Sequence, residues 1–238
     1  MSDLGFLWVY LATSPLLWLT ATLLSYVLAD RVAASLGRHP LANPLLIAIV
    51  LMVGVLLATK TPFATYFEGA QFVHFLLGPA TVALAVPLWH NRWQVVRALL
   101  PLLAALLVGS LTAIVSAVGI AWAFGAPGPV LAAIAPKSVT TAIAMSVAQG
   151  LGGDPALTAM LVIATGIVGG MMWPLLGRLG VRDPAAQGFA TGLAAHGMGT
   201  ARAFQADPVA GSFAGIALAL NGLMTSLIVP VVLRLFGM

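Results

Sequence analysis

The chain has 238 residues, of which 61% are hydrophobic and 7% charged, with a mean hydropathy of +1.07. An ordinary soluble domain is roughly 25% charged, so there is too little polar surface here to coat a water-soluble globule, and a soluble enzyme is excluded. Cysteine is absent, which removes disulfides, thiolate metal sites and a cysteine nucleophile, and His39, His74, His90 and His196 show no paired ligand spacing. A net charge of +4 would point a soluble protein towards nucleic acid, but the cations are scattered singly and form no basic patch. They report membrane topology instead.

The apolar stretch over 6–29 is long enough to span a bilayer, and with Asp3 in place of a basic leader it reads as a first helix rather than a cleaved signal peptide. Thr13, Ser14 and Pro15 interrupt it, and Asp30 and Arg31 end it. Further apolar segments follow at 44–59, 72–89, 98–124, 130–149, 156–176, 185–204 and 209–236. A full span needs about 20 residues, so 44–59 is short, and 130–149 is rich in Ser, Thr and Lys rather than Leu. Cytoplasmic loops are enriched in Lys and Arg. Eight simple crossings scatter the loop arginines over both sides. A re-entrant fifth segment instead places Arg31, Arg38, Arg92, Arg97, Arg178, Arg182 and Arg234 inside, with only Lys60 in an outer loop. The expectation is therefore an all-α polytopic membrane protein of about seven transmembrane helices plus a re-entrant segment, N-terminus outside and C-terminus cytoplasmic. Lys137 and Arg202 are the cations left within segments.

The two halves, 1–124 and 125–238, carry an echo of each other. Asn43-Pro44 and Asp154-Pro155 each open a helix, and Gly78-Pro79-Ala80-Thr81 aligns with Gly197-Met198-Gly199-Thr200. In the seven-crossing topology corresponding helices run in opposite directions. Inverted repeats with Gly- or Pro-interrupted helices point to a secondary transporter with its site near the midplane.

The residues that carry chemistry lie in two stretches. In Pro136-Lys137-Ser138-Val139-Thr140-Thr141, Pro136 suits a first helical position. The free N–H groups of that turn, the hydroxyls and the ammonium make a ready anion site. The bland reading has Lys137 snorkelling to the interface, but the breaker cluster Gly125-Ala126-Pro127-Gly128-Pro129 just before it suits a re-entrant element. Segment 185–204 holds Gly188, Gly192, Gly197 and Gly199 with His196, Thr200 and Arg202. Gly188 and Gly192 read as a face for close helix packing. His196 is the proton-coupling candidate, and Arg202 a bidentate carboxylate clamp. Asn221 in the last segment fits a ligand contact or an interhelical tie. Six acids are present, with no buried pair among them for cation binding; a phosphate-binding G-x-x-x-x-G-K-[ST] loop and hydrolase signatures are absent. No enzymatic activity, metal or cofactor is expected.

Pro136 to Thr141, the run Gly78 to Leu88 and the run Ala195 to Ala203 resemble the three signature stretches of the LrgB/CidB family, with Ala142 and Ala195 standing where Pro and Ser are common. The resemblance implies a bacterial inner-membrane protein, often partnered by a small holin-like membrane protein of the LrgA/CidA type. It implies either control of murein hydrolase activity and autolysis or transport of small carboxylates, as in the related plastid glycolate/glycerate translocator. Transport of a small monocarboxylate (glycolate, glycerate, pyruvate or lactate), proton-coupled, is the expectation; a holin-like regulator acting by oligomerisation is the alternative. The expected substrate contacts are Lys137, Ser138, Thr140, Thr141, Gly78, Thr81, Gly197, Gly199, Thr200, Arg202 and Asn221. The expected partners are the carboxylate, the lipid bilayer, further copies of the chain and the small holin-like protein, with no nucleic acid.

Overall fold

The structure is a computed structural model that describes residues 14–39, 42–83 and 85–237, and every regular element among them is helical. Residues 6–13, the predicted beginning of the first span, lie outside the described residues. Three described helices are long and apolar enough to cross a membrane, Pro15–Ser35, Leu99–Ala123 and Pro208–Leu235, with Pro44–Thr59 and Pro155–Met171 as shorter apolar helices. The chain forms two compact units, Met1–Ala83 and Leu84–Met238.

The first unit contains α1 (Pro15–Ser35), α2 (Pro44–Thr59), α3 (Phe63–Phe75) and α4 (Leu77–Ala83). Proline opens both α1 and α2, where its missing N–H has no intrahelical partner to lose. The Asn43 side chain accepts from Leu45 N at 2.9 Å, capping α2. Trp18 of α1 is buried with its ring edge-on to Tyr66 of α3 at 6.0 Å between centroids. Gly69 makes that approach possible, because a Cβ there would lie 2.8 Å from the Trp18 Cβ and 2.9 Å from the Leu19 nitrogen. Segment 72–89 is broken as expected, falling on the end of α3, on α4 and, in the second unit, on α5 (Ala85–His90).

The second unit continues with α6 (Arg92–Arg97), α7 (Leu99–Ala123), α8 (Gly128–Ile134), α9 (Thr141–Gly150), α10 (Pro155–Met171), α11 (Trp173–Arg178), α12 (Pro184–Ala206) and α13 (Pro208–Leu235). Asp-Pro opens α10, α12 and α13, and the carboxylates of Asp154, Asp183 and Asp207 accept backbone N–H groups of the first turns they cap. Each cap is worth about 1 kcal/mol.

Helices α7 and α13 pack in parallel. Leu102 and Leu106 meet Phe213, Ile216 and Ala217, Ser110 bonds Asn221, and Ile114 and Val118 meet Val229, Val232 and Leu233, so both numberings rise together. Against this pair lie two helical hairpins that enter from opposite ends. The first is α8 and α9. Leu131 packs among Val118, Val229 and Leu233, Ser138 reaches Asn221, and Val147 and Leu151 return to the cluster where Leu131 began. Its tip therefore lies about 12 Å deeper along α13 than its base, eight residues at 1.5 Å rise.

The second hairpin is α12 itself. Its backbone leaves the helical region at Ala195 (φ −121°, ψ 17°) and His196 (φ 43°, ψ −134°), and the register on α13 shows the reversal. A Cβ on Gly188 would run into the carbonyl of Ala210 and one on Gly192 into that of Ala214, so the inbound arm is parallel to α13. Ala203 of the outbound arm has meanwhile returned to Ala210 and Ala214.

This corrects the sequence reading of 185–204 as a crossing. Gly-rich helical sequence looks alike whether it continues or doubles back, and the turn is set by two residues. The consequence is topological: α13 leaves from the end of the unit where Arg97 and Arg182 lie, so Arg234 sits at the opposite end from both rather than beside them. Helix α10 runs antiparallel to α13, from Gly153 beside Ala132 and Ala133 to Trp173 against Ala203, Ala210 and Ala214.

The backbone contact at Gly192 gives a direct check. Gly192→Ala is expected to destabilise the protein by about 1–3 kcal/mol through overpacking, read as a lowered Tm in detergent. Gly54→Ala, in α2 with open space around the added methyl, is expected to leave Tm unchanged or raised.

Candidate functional site

The two tips are built differently. The first is a six-residue turn, 135–140, between α8 and α9, in which Ser138 and Val139 are buried and Lys137 is half-buried. The second is a two-residue break. A non-glycine residue at φ 43° is rare and costs of the order of 1–3 kcal/mol, so the surroundings must hold it. The His196 Nε2 lies 3.0 Å from the Val162 carbonyl of α10, and the Thr200 hydroxyl donates to the His196 carbonyl at 2.9 Å. Gly166 and Gly169 supply the space: a Cβ on Gly166 would sit 2.7 Å from the imidazole Cε1 and Nε2, and one on Gly169 would meet the Ala195 Cβ at 2.5 Å.

Because a carbonyl can only accept, the Val162 contact places the ring proton on Nε2 and leaves Nδ1 an acceptor. Nδ1 has no hydrogen-bond partner among the described residues. No sealed side-chain nitrogen or oxygen among those residues lacks a partner, so Nδ1 retains some exposure although the residue as a whole is buried.

Asn221 of α13 joins the two tips. Its Nδ2 donates to the Ser138 carbonyl at 3.2 Å and to the Leu193 carbonyl at 3.0 Å. Its Oδ1 accepts from Ser110 at 2.7 Å and from Thr225 at 3.3 Å. Both donors and both acceptor positions of the amide are thus used. The electrostatic result is one-sided. Asn221 engages one carbonyl at each tip, that of Ser138 in the first turn and that of Leu193 near the end of the inbound arm of α12, whereas α9 and the outbound arm of α12 both begin at the tips and direct the positive ends of their dipoles there.

Lys137 adds a full charge. Its Nζ reaches the Ser138 Oγ at 3.3 Å, and it has no carboxylate partner among the described residues. A half-buried cation, an imidazole and two helix N-termini at one place, with the acids of the unit committed to caps at its ends, make the tips electropositive.

Of the predicted residues, the structure brings together Lys137, Ser138, His196 and Asn221, with Thr140 and Thr141 at the start of α9 and Gly197 exposed beside His196. Thr200 serves the break, and Gly199 lets the two arms of α12 close, since a Cβ there would strike the Thr191 carbonyl. Asn221 is the interhelical tie. Arg202 lies six residues along the outbound arm, about 9 Å from the tip. Gly78 is in α4 of the other unit, exposed in open space, and the side chain of Thr81 lies outside the described residues. The Val162 carbonyl, Ser110, Gly166 and Gly169 were not foreseen; the glycine run 166, 169, 170 in an apolar segment was the available signal.

The family profile described as the LrgB-like family matches residues 22–235. The chain belongs to the LrgB-like family. It is similar to the uncharacterized protein YxaC of Bacillus subtilis, at 35% identity over 83% of this chain and 86% of that one. It is also similar to the Holin-like protein CidB of Staphylococcus epidermidis, at 30% identity over 84% and 87%, and to that of Staphylococcus aureus, at 30% over 93% and 96%. No solved structure matches. In this LrgB-like chain, a matched stretch that spans both hairpins includes every tip residue named above.

Asn221→Asp keeps the acceptors for Ser110 and Thr225 and loses both donors, leaving two buried carbonyls unpaired at about 1–3 kcal/mol each. It is expected to lower Tm by clearly more than Thr225→Val, which removes one donor to an oxygen that keeps Ser110. Equal effects in thermal unfolding would show that Asn221 does not hold the tips.

Proposed function

We propose that this LrgB-like protein is a secondary transporter of small monocarboxylates, with glycolate, glycerate, pyruvate and lactate as the candidate substrates, and that the anion binds between the two hairpin tips. The observation that carries the reading is Lys137, a half-buried cation without a carboxylate partner among the described residues, placed where two hairpins entering from opposite ends meet. Leaving such a charge uncompensated in apolar surroundings is unfavourable unless a ligand completes it. In this reading Lys137 and the N–H groups opening α9 hold the carboxylate, and Ser138, Thr140 and Thr141 contact the hydroxyl or oxo group. His196 takes up a proton at Nδ1 when the substrate is bound, which couples transport to the proton gradient. Hairpins of opposite polarity also supply the inverted element that such carriers use, here over 128–171 and 184–235. Gly78, Thr81 and Arg202 are left outside the primary contacts. The setting is the bacterial inner membrane, with further copies of the chain and a small LrgA/CidA-like protein as partners.

The holin-like names of the staphylococcal relatives favour a second reading, in which the protein acts by oligomerisation as a regulator of murein hydrolase activity. The two separate in liposomes holding the purified protein. The transporter reading requires saturable uptake of at least one labelled acid, faster when the proton gradient points inwards. Lys137→Ala is expected to abolish this uptake with the Tm preserved. His196→Gly accepts the positive φ without strain and removes only the ring, so it is expected to retain binding and lose the dependence on the gradient. Leakage of dye and ions that neither substitution alters would establish the regulator instead.

A further inference from the structure

A groove of about 400 Å³ runs between α7 and the inbound arm of α12, away from the tip site's polar groups. Ala98, Pro101, Ala105 and Gly109 form one wall, and Phe189 and Leu193 stand on the other. The wall on α7 is made mostly of small residues at helical spacing, with Leu102 among them, so the groove follows the helix. From Ala98 to Gly109 it extends about 16 Å at 1.5 Å per residue, close to the depth of one leaflet in a hydrocarbon core about 30 Å thick. It begins where Ala98 and Asp183 line it, which is the end of the unit carrying Arg97 and Arg182. Both arginines are exposed, and neither has an ion-pair partner among the described residues. The carboxylate of Asp183 is turned to its helix, accepting Ala186 N at 2.9 Å, so the charge at the mouth is left positive.

We propose that this groove binds one acyl chain of an anionic phospholipid, with the phosphate at Arg97 and Arg182. An apolar trough one leaflet long with two free guanidinium groups at its polar end matches that ligand in length, polarity and charge. A second copy of the chain would instead have to bring an acidic patch to the mouth, but among the described acids Asp154, Asp183 and Asp207 are engaged as caps and Asp30 pairs with Arg38, which leaves the single exposed Glu68 and no patch. The lipid bears on function because one wall is the arm whose Leu193 carbonyl is tied to Asn221. A chain lodged there props the hairpin that carries His196 against α7. The site is independent of what passes between the tips.

The test is native mass spectrometry of the full chain reconstituted with equal phosphatidylglycerol and phosphatidylcholine. The wild type is expected to retain one phosphatidylglycerol with a preference of about tenfold or more over phosphatidylcholine, as two basic residues near a headgroup would give. Arg97→Gln with Arg182→Gln is expected to bring that preference to near one while lipid is still bound, and Ala105→Phe, which fills the trough, to remove the bound lipid. Equal retention of the two lipids by the wild type, or unchanged retention in a folded Ala105→Phe protein, would overturn the proposal. So would a dimer that excludes lipid and is broken by Ala105→Phe. If Ala105→Phe does not fold, the paired arginine variant decides through the preference alone, since both residues are exposed.

Discussion

A helical hairpin that stops part-way across a membrane leaves carbonyl groups at its tip that no helix satisfies and no bulk water reaches, and hydrocarbon does not tolerate them. The arrangement of the second unit follows from how that debt of hydrogen bonds is met. One amide, Asn221, supplies a donor to each tip, and α7 fixes the amide's own orientation through Ser110. The parallel packing of α7 on α13 is therefore more than apolar burial. It sets the depth at which Ser110 and Asn221 face each other, and so the depth at which both hairpins end.

That solution also determines the sign of the field. In each hairpin the inbound arm brings a negative dipole end to the tip and the outbound arm a positive one, and with bare backbones the two would largely cancel. Engaging a carbonyl at each tip with the same neutral amide favours the outbound N–H ends, and Lys137 reinforces them. The acids that might have neutralised Lys137 are held at helix starts at the ends of the unit. The positive character of the tips is thus a consequence of how the backbone is satisfied, with the lysine adding the full charge.

Much of this was legible in the sequence, because lipid imposes long-range composition rules. The apolar runs, the polar fifth segment behind its Gly-Pro cluster and the exceptional positions of Lys137 and His196 all stand out against an apolar background. What stayed hidden were properties of single dihedral angles and pairwise registers. Nothing in Ala195-His196-Gly197 shows that the positive φ falls on the histidine when a glycine stands next to it. Counting arginines by side assumed that each long segment crosses, which placed Arg234 with the others until the doubling back of α12 moved it. Asn221 was open between ligand contact and tie because its partners lie 28, 83 and 111 residues away.

The two tips differ in how they respond to change. The first spreads its turn over six residues with Pro136 restricting the backbone, and only its Ser138 carbonyl depends on a distant partner. The second concentrates its turn at His196, where the conformational cost is offset by the Val162 contact, the Thr200 bond and the space left by Gly166 and Gly169. Three of those four supports reside on α10 and none on the first hairpin. Helix α10 also bears on the first tip, because Val162 packs with Val139 and Ala144, so a displacement of α10 is felt at both tips. One residue, Val162, thus holds the imidazole through its carbonyl and the first tip through its apolar packing.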